Sequence, residues 1–197
     1  MPGTLKQNCF VFIFLICFYD AVAQNDFCYR LADSAAMLVR QKVTYDLSYY
    51  SIAYPNGDVP VDRGVCTDVI IRAYRKLNID LQQLVHEDMR NHFSQYPRAW
   101  RMTGTDKNID HRRVPNLMTF FKRSGASLPV SENAIDYKPG DIVCWSLNRG
   151  MKHIGLVVKQ KSADKKRHLI VHNIGDGQVL EDCLFNYPII GHYRYSR

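Results

Sequence analysis

The chain has 197 residues, six cysteines and a formal net charge of +7, from 26 Lys plus Arg against 19 Asp plus Glu. That length holds one domain with a sizeable core, and the charge suits an acidic neighbourhood such as cell wall, nucleic acid or anionic membrane. The basic residues are dispersed in short clusters such as Arg112-Arg113 and Lys165-Lys166-Arg167, without a recognition-helix pattern, zinc-finger spacing or aromatic RNA platform, so a nucleic-acid partner is not expected.

Residues 1–23 read as a secretory signal. Lys6 precedes an apolar run from Cys9 to Tyr19, and Ala21-Val22-Ala23 gives a small-x-small cleavage pattern. The run is short for a membrane span, so residues 24–197 are expected to be exported, periplasmic or secreted, as a single domain with no span left after cleavage. Four cysteines then remain, Cys28, Cys66, Cys144 and Cys183, and four cysteines allow three pairings. If Cys66 stays reduced for catalysis, Cys28–Cys183 is the expected pair.

From Phe27 to about Tyr45 the stripe Leu31, Ala35, Leu38, Val39 predicts a helix, followed by Tyr45, Tyr49, Tyr50 and Tyr54 as half-buried packing residues. Gly57, Pro60 and Gly64 mark a loop. Beyond it Val65, Val69, Ile70, Ala73 and Leu77 predict a helix with Asp62 as N-cap and Cys66 in the first turn. A helix start favours thiolate, the nucleophilic form; the plainer alternative is a buried structural cysteine. Asp80 would cap a helix through Leu81, Leu84, Val85, Met89 and Phe93, with His86-Glu87-Asp88 on its solvated face. A polar stretch from Gln95 to His111 leads to a helix carrying Val114, Leu117, Met118 and Phe121. Arg112 and Arg113, near that helix start, offer planar donor forks for a substrate carboxylate, against the commoner reading of surface charge.

The C-terminal part reads as strands: Asp141–Ser146, Ile154–Val158 with His153 at its start, His168–Asn173, a short Val179-Leu180, and Gly191–Tyr195. Helices first and a meander of strands last indicate α+β, an antiparallel sheet packed against the Cys66 helix. A cysteine hydrolase needs a nucleophile at a helix N-terminus, a proton-accepting His, a group that orients it and N–H donors for the oxyanion. Cys66, His153 and His172 supply the first three, and the Cys66 N–H supplies a donor. Asn173 is the alternative orienter, and strand alternation sends it to the face opposite His172.

Pro139-Gly140-Asp141-Ile142-Val143 followed by His153-Ile154-Gly155-Leu156-Val157-Val158 resembles the strand pair of NlpC-type peptidases, papain-like enzymes that cut peptidoglycan peptides. Gly57-Asp58-Val59-Pro60 through Arg63-Gly64-Val65-Cys66-Thr67-Asp68-Val69, then Asn108–Leu117 and Gly191–Tyr195, resemble a bacterial family catalogued as domain of unknown function 1287. These resemblances imply a papain-like α+β domain and an exported thiol hydrolase, an amidase or endopeptidase, working on stem peptide or a related amide bond without a cofactor or metal. Cys66 would attack, His153 would act as base and then acid, and His172 would orient His153. NlpC-type enzymes commonly carry Asp-Cys-Ser-Gly at the nucleophile where this chain has Val65-Cys66-Thr67-Asp68, so recognition is expected to fall to Asp62, Asp68, Arg112 and Arg113. Two other readings remain: a non-catalytic wall-binding domain on the same fold, and a zinc-binding protein using Cys66, His153 and His172.

Overall fold

The computed structural model describes residues 23–100, 103–175 and 177–196, so the expected signal segment, apart from Ala23, lies outside the described residues. Helix α1 (23–38) begins earlier and stops earlier than its apolar stripe predicts. Leu31, Ala35 and Leu38 are buried as expected, and a turn donates the Gln41 N–H to the Leu38 carbonyl. Val43-Thr44-Tyr45 is a β-branched and aromatic run that prefers extended backbone. Within it strand β1 (Thr44–Tyr45) pairs in parallel with β2 (Arg63–Gly64).

Between these two short strands the loop is held by the next helix, α2 (Cys66–Arg75). Arg72 donates to the Asp58 carboxylate and to the carbonyls of Pro60 and Arg63, and Arg75 donates to Asp58 and to the Gly57 carbonyl. A Cβ on Gly57 would lie 2.0 Å from the Ala53 carbonyl oxygen, so the loop closes on a residue without a side chain. Helix α3 (Leu81–Asn91) is capped by Asp80, whose carboxylate accepts the Gln82 N–H, as expected. Its acidic face is not merely solvated. His86 Nδ1 meets Asp110 Oδ2 at 3.0 Å, and Asp88 accepts from Arg123 and Tyr96. Helix α4 (Val114–Arg123) follows a 3₁₀ turn at Asp110–Arg112.

Five antiparallel strands form the second half: β3 (Ile142–Ser146), β4 (Lys152–Lys161), β5 (His168–Asn173), β6 (Gln178–Glu181) and β7 (Ile189–Tyr193), in the order β6-β5-β4-β3-β7. Alternation divides their side chains between two faces. Ile142, Cys144, Ile154, Leu156, Val158 and Val171 pack with α1, α2 and α4 in the larger core. Val143, Trp145, Val157 and Ile170 face the other way, where Tyr137, Cys183 and Leu184 close a smaller core over them. Both faces of the central strands are therefore apolar. The mixed α+β organisation, with an antiparallel sheet against the Cys66 helix, agrees with the order of patterns in the sequence. Among the described residues no helix is long and apolar enough to cross a membrane.

Candidate active site

Cys66 is the first residue of α2. The N-cap is Val65 rather than Asp62, because Asp68 closes the helix start from inside: its Oδ2 accepts the Val65 N–H at 2.7 Å. Asp62 stays on the loop, where its carbonyl accepts the Thr44 N–H and its exposed carboxylate lies 3.7 Å from Arg63. Cys66 is buried among core residues that include Cys144 and Ile154. The expected thiolate is therefore reversed. Burial pushes the thiol up to about 12, outweighing the N–H groups of Ile154, Thr67 and Cys66 itself, which favour the anion, while Asp68 adds to the rise. A helix start lowers a thiol pKa only where the charge is not also stripped of water.

His153 is the second residue of β4 and faces the Trp145 side of the sheet, its ring 5.8 Å from the indole. His172, on β5, shares that face. A Cβ on Gly155 would come within 2.6 Å of Ile170 Cγ2 and 3.2 Å of His172 Cβ, so the bare backbone there lets the neighbouring strand's side chains lie across β4. His153 Nε2 and His172 Nδ1 are 2.9 Å apart, and His172 Nε2 lies 2.8 Å from Glu181 Oε2. This chain assigns the tautomers. An ionised carboxylate only accepts, so His172 carries its proton on Nε2 and accepts at Nδ1. His153 then donates from Nε2 and keeps a lone pair on Nδ1, the form a general base requires. Burial, with a smaller contribution from His172, pushes His153 down to about 3, and burial lowers His172 despite Glu181. Both imidazoles are neutral near pH 7.

The structure brings His153 and His172 together and leaves Cys66 close by but apart. Cys66 meets β4 from the helix side, with the Ile154 N–H directed at Sγ, while His153, the preceding residue, projects from the opposite face. Among the described residues no hydrogen bond joins Sγ to either imidazole. Asn173 takes the helix side, as alternation requires, and donates from Nδ2 to the Gly64 carbonyl at 3.3 Å. Of the two candidate orienters, only His172 reaches His153.

Two of the residues expected to bind substrate are committed elsewhere. Arg112 donates from Nε to Asp68 Oδ1 at 3.1 Å and from Nη2 to Asp68 Oδ2 at 3.1 Å, and its remaining donors reach the carbonyls of Ser48 and Asp46. The side chains of Arg112 and Asp68 are 3% and 4% exposed. A guanidinium and a carboxylate so placed fasten α2 to the segment before α4 and to the 46–48 loop. They are not open to a substrate. Arg113, at the start of α4, lies with its guanidinium 4.3 Å from the ring centroid of Trp100, which is 54% exposed.

The four described cysteines are free, so the expected Cys28–Cys183 pair is not formed. Cys28 sits on α1 in the field of Arg194 and Asp141, whereas Cys183 lies beyond the other face of the sheet, its Sγ 3.5 Å from His172 Nε2. The ligand set weighed for zinc changes in the same way. Cys66 is on the wrong side of the sheet, and the atoms that gather within 4.8 Å of one another belong to His172, Glu181 and Cys183. Glu181 escaped the sequence reading, and Cys183 was read only as a disulfide partner. The signal for Glu181 was the β5–β6 hairpin, where His172 stands opposite Val179 and Glu181 is its same-face diagonal neighbour.

A family profile described as "Domain of unknown function (DUF1287)" matches residues 32–195. The chain is 50% identical over 165 residues to "Uncharacterized protein YijF" of Escherichia coli (strain K12), a match covering 84% of this chain and 80% of that protein. Among solved structures it is similar to NlpC1 from Trichomonas vaginalis, at 19% identity and a TM-score of 0.41, over 83% of this chain and 44% of that one. This chain thus spans less than half of that protein, and the likeness is below what establishes a shared fold. The profile and the relative together cover most of the chain, which belongs to the DUF1287 family.

Proposed function

We propose that the chain is an exported cysteine hydrolase with a papain-like, NlpC-type fold, acting as an amidase or endopeptidase on peptidoglycan stem peptide. The observation that supports this most is the Glu181–His172–His153 chain of 2.8 and 2.9 Å contacts, which holds a neutral imidazole in the base tautomer one residue from the strand position that Cys66 touches. In this reading a bound substrate amide draws Cys66 and His153 together, a tightening expected of sites whose hydrogen bonds are loose before substrate binds. His153 Nδ1 takes the thiol proton as Sγ attacks the carbonyl carbon. The Cys66 N–H at the start of α2 donates to the oxyanion. His153 then gives its proton to the departing amine, and water releases the acyl group. Arg113, stacked over exposed Trp100, would meet a substrate carboxylate, and Asp62 offers a surface charge on the loop leading to Cys66.

A non-catalytic wall-binding domain is the second reading, and one observation favours it: a buried neutral thiol that bonds neither imidazole. Digestion of purified peptidoglycan separates the two. Release of peptide fragments by the native protein, lost in a folded Cys66→Ala variant, is the expected result. Wall binding without fragments, from native protein and variant alike, would retire the hydrolase.

A further inference from the structure

Beside the smaller core lies a pocket of about 160 Å³ lined by Trp145, His153, His172, Glu181, Cys183 and neighbouring loop residues. It holds two groups that the proposed chemistry does not employ as nucleophile or base, the Cys183 thiol and the Glu181 carboxylate. We propose that His172 Nε2, Glu181 and Cys183 Sγ form a three-ligand site for a thiophilic divalent cation of the zinc class, and that filling it switches the neighbouring hydrolase off.

The geometry is that of a metal site nearly closed. Zinc bonds of about 2.0 Å to imidazole and 2.3 Å to thiolate, at a tetrahedral angle, set an N···S separation of roughly 3.5 Å. His172 Nε2 and Cys183 Sγ are 3.5 Å apart. Glu181 Oε2, hydrogen-bonded at 2.8 Å, must retreat by about half an ångström to leave room for the ion. Its side chain is 53% exposed and has the freedom to do so. The His172 ring is already held at Nδ1 by His153, the kind of outer contact that fixes a ligating imidazole. Three protein ligands leave the fourth position to water from the pocket. Thiolate, imidazole and carboxylate together favour zinc over magnesium or calcium, which prefer oxygen.

The switch follows from proton placement. On metal binding the Cys183 thiol proton goes to solvent. His172 gives Nε2 to the metal, so its proton moves to Nδ1 and is donated to His153 Nε2. His153, still neutral, then carries its proton on Nδ1, where the base needs a lone pair. Each imidazole keeps one proton, and the relay runs backwards. This part rests on the hydrolase reading; the metal site does not.

Full-length folded protein stripped with chelator is titrated with Zn²⁺ by calorimetry and with Co²⁺ by optical spectroscopy. One ion per chain and a thiolate-to-cobalt charge-transfer band are expected. The band should vanish in Cys183→Ser and survive in Cys66→Ser, and Zn²⁺ affinity should fall at least tenfold in both Cys183→Ser and Glu181→Gln. Absence of binding, or a band that follows Cys66 instead, overturns the site. In the peptidoglycan digest one equivalent of Zn²⁺ should suppress the native enzyme and spare Cys183→Ser. Protein that hydrolyses, binds no Zn²⁺ and ignores it retires this inference alone. Protein that binds the ion through Cys183 yet never hydrolyses when stripped retires the hydrolase, and with it the switch, while the metal site stands.

Discussion

Replacing Arg112 with Met tests whether this arginine holds the fold or the substrate. The native side chain makes two short contacts to the Asp68 carboxylate and reaches the carbonyls of Ser48 and Asp46. Methionine fills much of the same volume but leaves the Asp68 carboxylate buried with, among the described residues, the Val65 N–H as its remaining hydrogen-bond partner. Removing one member of a buried pair costs about 3–5 kcal/mol, because the remaining charge has lost its compensation. At roughly 2–4 °C per kcal/mol for a chain of this size, Tm should fall on the order of 6–20 °C. Thermal and urea unfolding followed by circular dichroism measure it. The double variant Asp68→Asn, Arg112→Met should recover part of the loss, since no bare charge remains, and the recovery gives the coupling of the pair. A Tm within 2 °C of native for Arg112→Met, accompanied by a raised KM on soluble muropeptide, would refute the structural assignment and return Arg112 to the substrate.

The remaining predictions concern the buried thiol and the buried imidazoles. With its pKa pushed up to about 12, Cys66 should alkylate slowly at neutral pH, its rate rising about tenfold per pH unit through pH 9 because only thiolate reacts; peptide-resolved mass spectrometry that finds a plateau between pH 8 and 9 would contradict the burial argument. His153 and His111 are both pushed down to about 3 by burial. Their neutral forms stabilise the fold fully above the unfolded value near 6.5, and that contribution is lost as pH falls through 3, since the unfolded chain binds protons there that the folded chain does not. NMR of the imidazole carbons should show no titration of either residue between pH 5 and 8, and a midpoint near 6.5 for His153 would mean its ring is open to water.

Much of this arrangement was legible because local pattern decided it. The 3.6-residue spacing of Val69, Ile70 and Ala73 marks α2, and period-two alternation sends His172 and Asn173 to opposite faces, with only His172 meeting His153. The cap of α2 misled because two acids stand near the start, and Asp68, inside the helix, does the work expected of Asp62 outside it. Arg112 was illegible for a different reason. Its partners lie on α2 and on the 46–48 loop, far off in sequence, and an arginine next to another arginine gives no local sign of burial. Nor does helix position alone fix a thiol's charge. The desolvation of Cys66 comes from the sheet strands packed above it, a tertiary effect that outweighs the local dipole.

The resting site and the proposed chemistry can be reconciled by asking which group moves. The β4–β5 ladder runs no nearer to His153 than the Leu156–Val171 pair among the described residues, so residues 153–155 are held on the β3 side, where they pair with Trp145, Cys144 and Val143, and His153 meets β5 through its side chain. Swinging His153 toward the helix side would break its 2.9 Å contact with His172 and undo the tautomer that makes it a base. Turning Cys66 about χ1 gives up the N–H groups of Ile154, Thr67 and Cys66 itself that favour its anion, and leaves the helix backbone intact. A turn that carried the sulfur out of its apolar surroundings would also ease the desolvation that keeps it protonated. In the proposed reaction, movement of the thiol toward a fixed imidazole would therefore keep the His172 contact and ease the thiol's desolvation together, whereas movement of the imidazole would sacrifice one requirement to meet the other.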